Sequence, residues 1–359
     1  MINDINVDNI LRIYETEISK NVRNKKRLYK FEVNKMQNIE DIIFMIKNGK
    51  IHLHKYNIFL IYEPKCRLVM SLTVKEKVVN HFLTRFILEK KLTKYLCDRN
   101  IATRKDMGVS YGVELVLKYI NREKNKHKKL YALSLDISKY FYSIDHEVLK
   151  QMLKEQLDDF EYRLMEKAID STNWSYINET INWYIENRGV DLPYYNTGKG
   201  LPIGNMTSQF LSIYYLNKLD HFILHDLKCK NYVRYMDDFL IIDNDLEKLK
   251  RVRDIIIDKL KNEYKLNVNP KKTCINSLKS GFSFLGYTYR VVQGKTIVKI
   301  KKANLERLRK RIKNIKREYK KGKIREYKAF CSIMTYTYSY KYSKDKRLQS
   351  LIDKCWYGK

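Results

Sequence analysis

The alternation of apolar and polar positions divides the chain into short extended runs set between longer helical stretches. Residues 1 to 50 read as largely helical and polar. From His52 to Leu72 the pattern turns extended, with runs at Ile58–Tyr62 and Leu68–Leu72 around Glu63-Pro64-Lys65-Cys66, which predicts a hairpin carrying basic residues. Helical spacing returns from about Val74 to Leu96 and from about Val113 to Arg122. A buried strand is predicted at Leu130–Leu135, ending on Asp136.

Residues 146 to 187 read as helices with aromatic anchors. One helix is expected over Asn205–Leu227, entered through the turn residues Gly198 to Gly204. Two extended runs, Tyr232–Tyr235 and Phe239–Ile242, flank the acid pair Asp237-Asp238, which predicts a hairpin with carboxylates at its tip. A basic helix (Leu246–Tyr264), a strand pair (Phe282–Val292 and Thr296–Ile300) and a very basic helix (Asn304–Lys321) are expected to complete the chain.

Charge changes this picture from a scaffold to a binder. Lys and Arg number 72 against 41 Asp and Glu, a net +31, and 29 tyrosines are interleaved with them, so a polyanionic partner is expected. The basic run Lys20–Lys30 is either a solvated face or a nucleic-acid contact. The cysteines are scattered without a Cys-x-x-Cys pair, which suits reduced thiols. No N-terminal apolar segment or membrane-length run is seen, so a soluble, cytoplasmic protein with no membrane partner is expected.

Transfer of a nucleotide needs two divalent metals, and hard metals take carboxylate oxygens. Asp136 at a strand end and Asp237-Asp238 at a hairpin tip supply three acids from strands that can lie side by side. Tyr-x-Asp-Asp alone is weak evidence, since about 0.1 chance occurrences are expected in a chain with 29 tyrosines. Its order with Lys65/Arg67, Asp136, Gly204, Lys272 and Gly286 is far more specific.

In that order of blocks, over roughly residues 50 to 345, the chain resembles the reverse transcriptase family. The resemblance implies an α+β right-hand polymerase with helical fingers, an antiparallel palm sheet and a helical thumb. It divides the chain into a basic helical extension (1–50), fingers (51–129), palm (130–290, with inserted fingers helices at about 146–200) and basic thumb (291–359). It implies an RNA-directed DNA polymerase that takes an RNA template, a DNA or RNA primer and deoxynucleoside triphosphates.

Position by position, the resemblance implies that Asp136, Asp237 and Asp238, with Ile137 in the same set, hold two Mg²⁺ ions, Mn²⁺ being the alternative. Lys65 and Arg67 resemble residues that hold the triphosphate, and Arg104 the next block of that kind, with a solvated charge as its alternative. Phe141 stands where the family places an aromatic gate against the ribose 2′-OH, ordinary core packing being the other reading. Lys272 resembles the residue that protonates the leaving pyrophosphate, with Lys271 beside it as a competitor. Leu285, Gly286 and Tyr287 resemble the primer grip, and Arg307, Arg311, Lys316 and Arg317 read as contacts to duplex phosphates or as a solvated helix face.

One block departs from most of the family, which carries Gln-Gly and then Ser-Pro, where this chain reads Ile203-Gly204-Asn205-Met206-Thr207-Ser208-Gln209. That departure resembles the enzymes of diversity-generating retroelements. They copy RNA with errors opposite adenine and work with an accessory protein, here expected to be small and basic. Antiphage-defence or intron-type enzymes are the alternative, and a non-catalytic RNA-binding scaffold is the non-enzyme one. His221 and His225, at i and i+4, lack the partners of a zinc site and read as structural or surface histidines.

Overall fold

In the computed structural model all residues are described except 54, 64, 339, 344–349, 351 and 353–359, so the end of the expected basic C-terminal segment lies outside the described residues. The helices α1 (Val7–Ile13), α2 (Lys25–Glu32) and α3 (Lys35–Lys47) form the N-terminal region. The hairpin β1 (Asn57–Ile61) and β2 (Arg67–Ser71) follows, then α4 (Val74–Leu83), which runs through a π-helical segment (Thr84–Glu89) into α5 (Lys90–Leu92). Next come α6 (Val109–Lys124), β3 (Tyr131–Asp136), α7 (Tyr140–Ser143), α8 (His146–Lys154), α9 (Asp159–Ile169) and α10 (Ser175–Arg188).

The expected single helix over 205–227 is two, α11 (Met206–Tyr215) and α12 (Asn217–His225), because Leu216 leaves helical geometry at φ −98° and ψ 7°. The strands β4 (Tyr232–Tyr235) and β5 (Asp238–Asp243) form the acid hairpin, and α13 (Leu246–Asn262) follows. After it come β6 (Cys274–Ser277), β7 (Phe282–Phe284), β8 (Tyr287–Val292), β9 (Lys295–Ile300), α14 (Lys302–Lys320) and α15 (Glu326–Tyr338). The expected strand over 282–292 is therefore two, broken by a turn in which Leu285 and Gly286 take φ of 49° and 84°. Helix α15 and strand β6 have no counterpart in the sequence reading.

Among the described residues the strands form three antiparallel sheets, ordered β1-β2, β4-β5-β3-β6 and β7-β8-β9. In the central sheet β5 carries four consecutive buried apolar residues, Phe239 to Ile242. Such a run is what a strand covered on both faces requires. Helix α6 packs on β4 and β5, and its Tyr119 hydroxyl donates to the Tyr232 carbonyl at 3.0 Å.

The contacts divide the chain into two interleaved units. The first comprises Met1–Thr103, Ile137–Leu227 and Ile255–Asn269; the second comprises Arg104–Asp136, Lys228–Asp254 and Pro270–Lys359. In the first, α4 buries Val78, Val79, Phe82 and Leu83, and α11 packs against it. In the second, α14 buries Leu308 and Ile312 against Ile333 of α15. Among the described residues no helix is long and apolar enough to cross a membrane.

Candidate active site

The acids are positioned by strand register. In the second unit β3 and β5 pair so that Asp136 lies opposite Asp238, and Asp238 also pairs with Tyr235 across the β4–β5 hairpin. Directly opposed residues on antiparallel strands have Cβ atoms about 4.5–5.5 Å apart, so register alone puts two carboxylates side by side. Between Tyr235 and Asp238 the turn is tight, and Met236 is forced to φ 55°. A non-glycine residue there costs about 1–3 kcal/mol, which the surroundings must offset.

Arg234 supplies that support. It is 0% exposed, its Nη1 donates to the Met236 carbonyl at 2.8 Å, and its guanidinium lies 5.9 Å from the Phe239 ring centroid. A buried arginine under a strained turn is a positioning device for Asp237 and Asp238. The sequence reading passed over it, because a lone cation within a strand has no local signature of burial.

Charge in this cluster is unbalanced in an informative way. Desolvation first, then repulsion from Asp237 and Asp136, pushes the Asp238 carboxyl up to about 6, although Lys272 and Lys301 oppose the shift and the residue's surface is open to solvent. The Lys272 ammonium sits 2.5 Å from both carboxylate oxygens of Asp136. Partial burial acts against its charge, yet the bond to Asp136 and the pull of Asp238 and Asp237 hold Lys272 above the ordinary lysine range.

Among the described residues no three His, Cys, Asp or Glu side chains converge closely enough to enclose a metal. The donors are nevertheless of the right kind: mutually repelling carboxylates on rigid strands, one of them already holding a cation, suit a hard divalent ion. Ile137 is 2% exposed and bridges Val268, so any role near a cation falls to its main chain.

The residues expected at the nucleotide lie in the first unit, apart from Arg104. Lys65 and Arg67 are exposed on the β1–β2 hairpin. The hydroxyl of Tyr142, pushed up to about 12 chiefly by burial, feels the charge of Arg67, which places Arg67 near α7 and its Phe141. Phe141 is half-buried, and its carbonyl accepts from Leu201 at 2.7 Å. A Cβ on Gly200 would stand 2.7 Å from the Tyr195 ring and 3.2 Å from that carbonyl, so this loop needs glycine.

Farther on, the Ile203 carbonyl accepts from the Met70 amide at 2.8 Å, which ties the variant block to β2. Gly204, at φ 120°, leaves no room for a side chain, since its Cβ would lie 3.0 Å from the Met70 carbonyl. Gln209 is exposed on α11. The helix is capped from a distance: Asn80 Oδ1 accepts from the amides of Met206 and Thr207 at 3.0 and 3.2 Å, and its Nδ2 donates to the Thr207 hydroxyl at 2.8 Å. Asn80 is another residue the sequence reading missed, since its partners lie some 126 residues away.

In the second unit Arg104 is half-buried. Gly286 packs against the start of α14, where Asn304 Nδ2 donates to its carbonyl at 3.1 Å and would clash with an added Cβ at 2.7 Å. Leu285 shares that turn. Tyr287 is 1% exposed and stacks edgewise on Tyr340 at 5.9 Å, so its ring belongs to the core. Arg307 bonds Asn304, and Arg311 lies over the Tyr336 ring at 4.8 Å. Lys316 is half-buried, and Arg317 is exposed beside Glu318 at 3.9 Å. His221 and His225 stack at 5.8 Å, and His221 Nε2 contacts the Tyr95 carbonyl at 2.9 Å, as structural histidines do.

With this geometry established, comparison adds a lineage. Residues 47–289 match the family described as reverse transcriptase (RNA-dependent DNA polymerase). Among curated protein sequences none matches significantly. Among solved structures, the chain is similar to apo telomerase from Candida tropicalis truncated from its C-terminal domain, at 14% identity and TM-score 0.48, covering 74% of this chain and 60% of that one. It is also similar to telomerase from Candida albicans in complex with a TWJ fragment of telomeric RNA, at 15% identity and TM-score 0.45, covering 73% of this chain and 50% of that one. The chain thus spans only half to three-fifths of the telomerase chains it matches.

Proposed function

The chain belongs to the reverse transcriptase (RNA-dependent DNA polymerase) family, and from that premise we propose that it copies an RNA template into cDNA with errors concentrated at template adenines, as part of a diversity-generating retroelement. The observation that carries the polymerase reading is the register that sets Asp136 opposite Asp238 beneath a turn bearing Asp237. Asp136, Asp237 and Asp238 would hold two Mg²⁺ ions, which activate the attacking oxygen and shield the leaving phosphate when bound.

The protein's own groups do the rest. Lys272, whose ammonium lies 2.5 Å from Asp136 at the edge of the acid cluster, would donate a proton to the leaving pyrophosphate. Lys65 and Arg67 offer directed cationic donors to the triphosphate. Phe141, on a backbone locked to the Gly200 loop, excludes a 2′-OH beneath the sugar. Residues 51–129 would act as fingers, 130–290 as palm and 291–359 as thumb, with RNA template, primer and a small basic accessory protein as partners.

The error-prone reading rests on the variant block. The Ile203 side chain offers no hydrogen bond where most of the family carries glutamine, and one directional contact is worth about 1–3 kcal/mol of discrimination. Ile203→Gln is therefore expected to lower misincorporation at adenine about tenfold while keeping part of the synthesis rate. The check is sequencing of cDNA made from one RNA by both proteins under matched nucleotide and salt conditions. Faithful copying of adenine by the wild type would replace this reading with an antiphage-defence or intron-type enzyme. Error-prone copying that the substitution leaves unchanged would remove Ile203 as its cause.

A further inference from the structure

The basic run of the N-terminal region has no part in the chemistry above, and the fold gives it a place. In the first unit, α2, the entry to β1 and the start of α4 enclose an open hollow of about 500 Å³. Arg27, Lys30, Lys55 and Lys75 line it, Phe31 and Tyr56 are among its apolar walls, and among the described residues no carboxylate lines it. These cations come from three separate stretches of sequence, so the fold has gathered them. A solvated helix face would not require that.

Their local partners leave most of this charge uncompensated. Lys75 pairs with Asp41 at 2.7 Å, and Arg27 bonds the neutral Asn57 at 3.1 Å. Lys77, one turn into α4, is held below the ordinary lysine range first by burial and then by the charge of Arg27. Phe31 and Tyr56 are 5% and 8% exposed, so the apolar walls are firm, while Arg27, Lys30 and Lys55 are exposed.

We propose that this hollow is a binding site for the phosphodiester backbone of single-stranded RNA, gripping the template outside the chemistry. Its volume of about 500 Å³ leaves room for a nucleotide-sized group, its charge selects phosphate, and its cations, mostly exposed lysine and arginine, favour a repeated backbone over one defined small anion. The proposal rests on reading the chain as an RNA-copying enzyme, and it concerns affinity for the template rather than turnover.

The test uses the full chain and a labelled, unstructured single-stranded RNA, with affinity measured from low to physiological salt. The triple variant Arg27→Glu/Lys30→Glu/Lys55→Glu is compared with Lys154→Glu/Lys228→Glu/Lys230→Glu, an equal charge change at exposed lysines elsewhere. The pocket variant should lower the salt slope by about 2 and weaken binding about tenfold or more, while the control moves little. Equal losses in both variants would overturn the site in favour of a general field effect. Stoichiometric binding of inorganic phosphate that displaces the RNA and is lost in the pocket variant would overturn the RNA assignment in favour of a small-phosphate site. The corresponding glutamine triple variant serves if the glutamates impair folding. Primer extension at saturating template should persist in the pocket variant. Absence of extension in the wild type would sink the functional reading, while the slopes would still decide the binding site.

Discussion

The acid hairpin and helix α14 are both rich in charge, yet they are built on opposite plans. Around the hairpin each interaction is shared among a few groups, and Arg234 and Asp136 are buried while Asp238 and Lys272 face solvent. Arg234 supports the turn, β3 fixes the opposing acid, and Lys272 holds Asp136 from the strand connection beyond. Helix α14 carries nine cations against two glutamates, and the described core beneath it takes only Leu308 and Ile312 as fully buried anchors. The first region depends on every member being in place, whereas the second distributes its charge over many nearly interchangeable groups. Substitutions should therefore be sharp and non-additive in the hairpin and graded and additive along the helix.

The comparison breaks most visibly at the acids. Asp136→Asn or Asp237→Asn should each reduce DNA synthesis on the order of a thousandfold, since several kcal/mol of charge stabilisation are lost without a change of shape. Primer extension measured beside RNA affinity checks this, and near-normal extension would remove these residues from the chemistry. Arg234→Met should come next. It deletes the donor to Met236, costs about 1–3 kcal/mol of stability and slows turnover roughly tenfold, with the deoxynucleotide KM little changed. A kcat that survives beside a lowered Tm would make Arg234 merely structural.

Along α14 the effects should shrink and add. Arg307→Glu with Arg311→Glu is expected to reduce the salt slope of RNA binding by about 1.5 and to weaken affinity several-fold. A loss as abrupt as that at the acids would erase the contrast. Lys316→Ala should sit at the small end, within about twofold in affinity, because it is one of many cations and is half-buried. Titrations of the single and double variants against salt would show whether the contributions sum.

What the sequence disclosed follows the same division. The acid hairpin was legible because two short extended runs flank Asp237-Asp238, and Phe239 to Ile242 of β5 are apolar throughout. Strand β6 was not, since Cys-Ile-Asn-Ser has no strand pattern and exists through its pairing with β3. Helix α15 was hidden by the β-branched and aromatic residues of its second half, which favour strands until packing on α14 overrules them. At the site, the acids and glycines stood out only through the order of blocks that carries the family resemblance, since Tyr-x-Asp-Asp alone is weak. The roles of Arg234 and Asn80 did not stand out, because burial and a cap supplied from 126 residues away are properties of the folded chain.

The interleaving of the two units has a consequence for how the protein is made. The chain passes from one unit to the other at 103/104, 136/137, 227/228, 254/255 and 269/270, so neither unit is a continuous stretch. Synthesis proceeds at about 5–20 residues per second. The first 103 residues must therefore wait on the order of ten seconds for the segment ending at Asn269 that completes their unit. During that interval the apolar faces of α4 and the surrounding helices lack their final partners. A ribosome-bound chaperone is thus expected to bind nascent chains longer than about 100 residues and to leave them only after residue 269 has emerged.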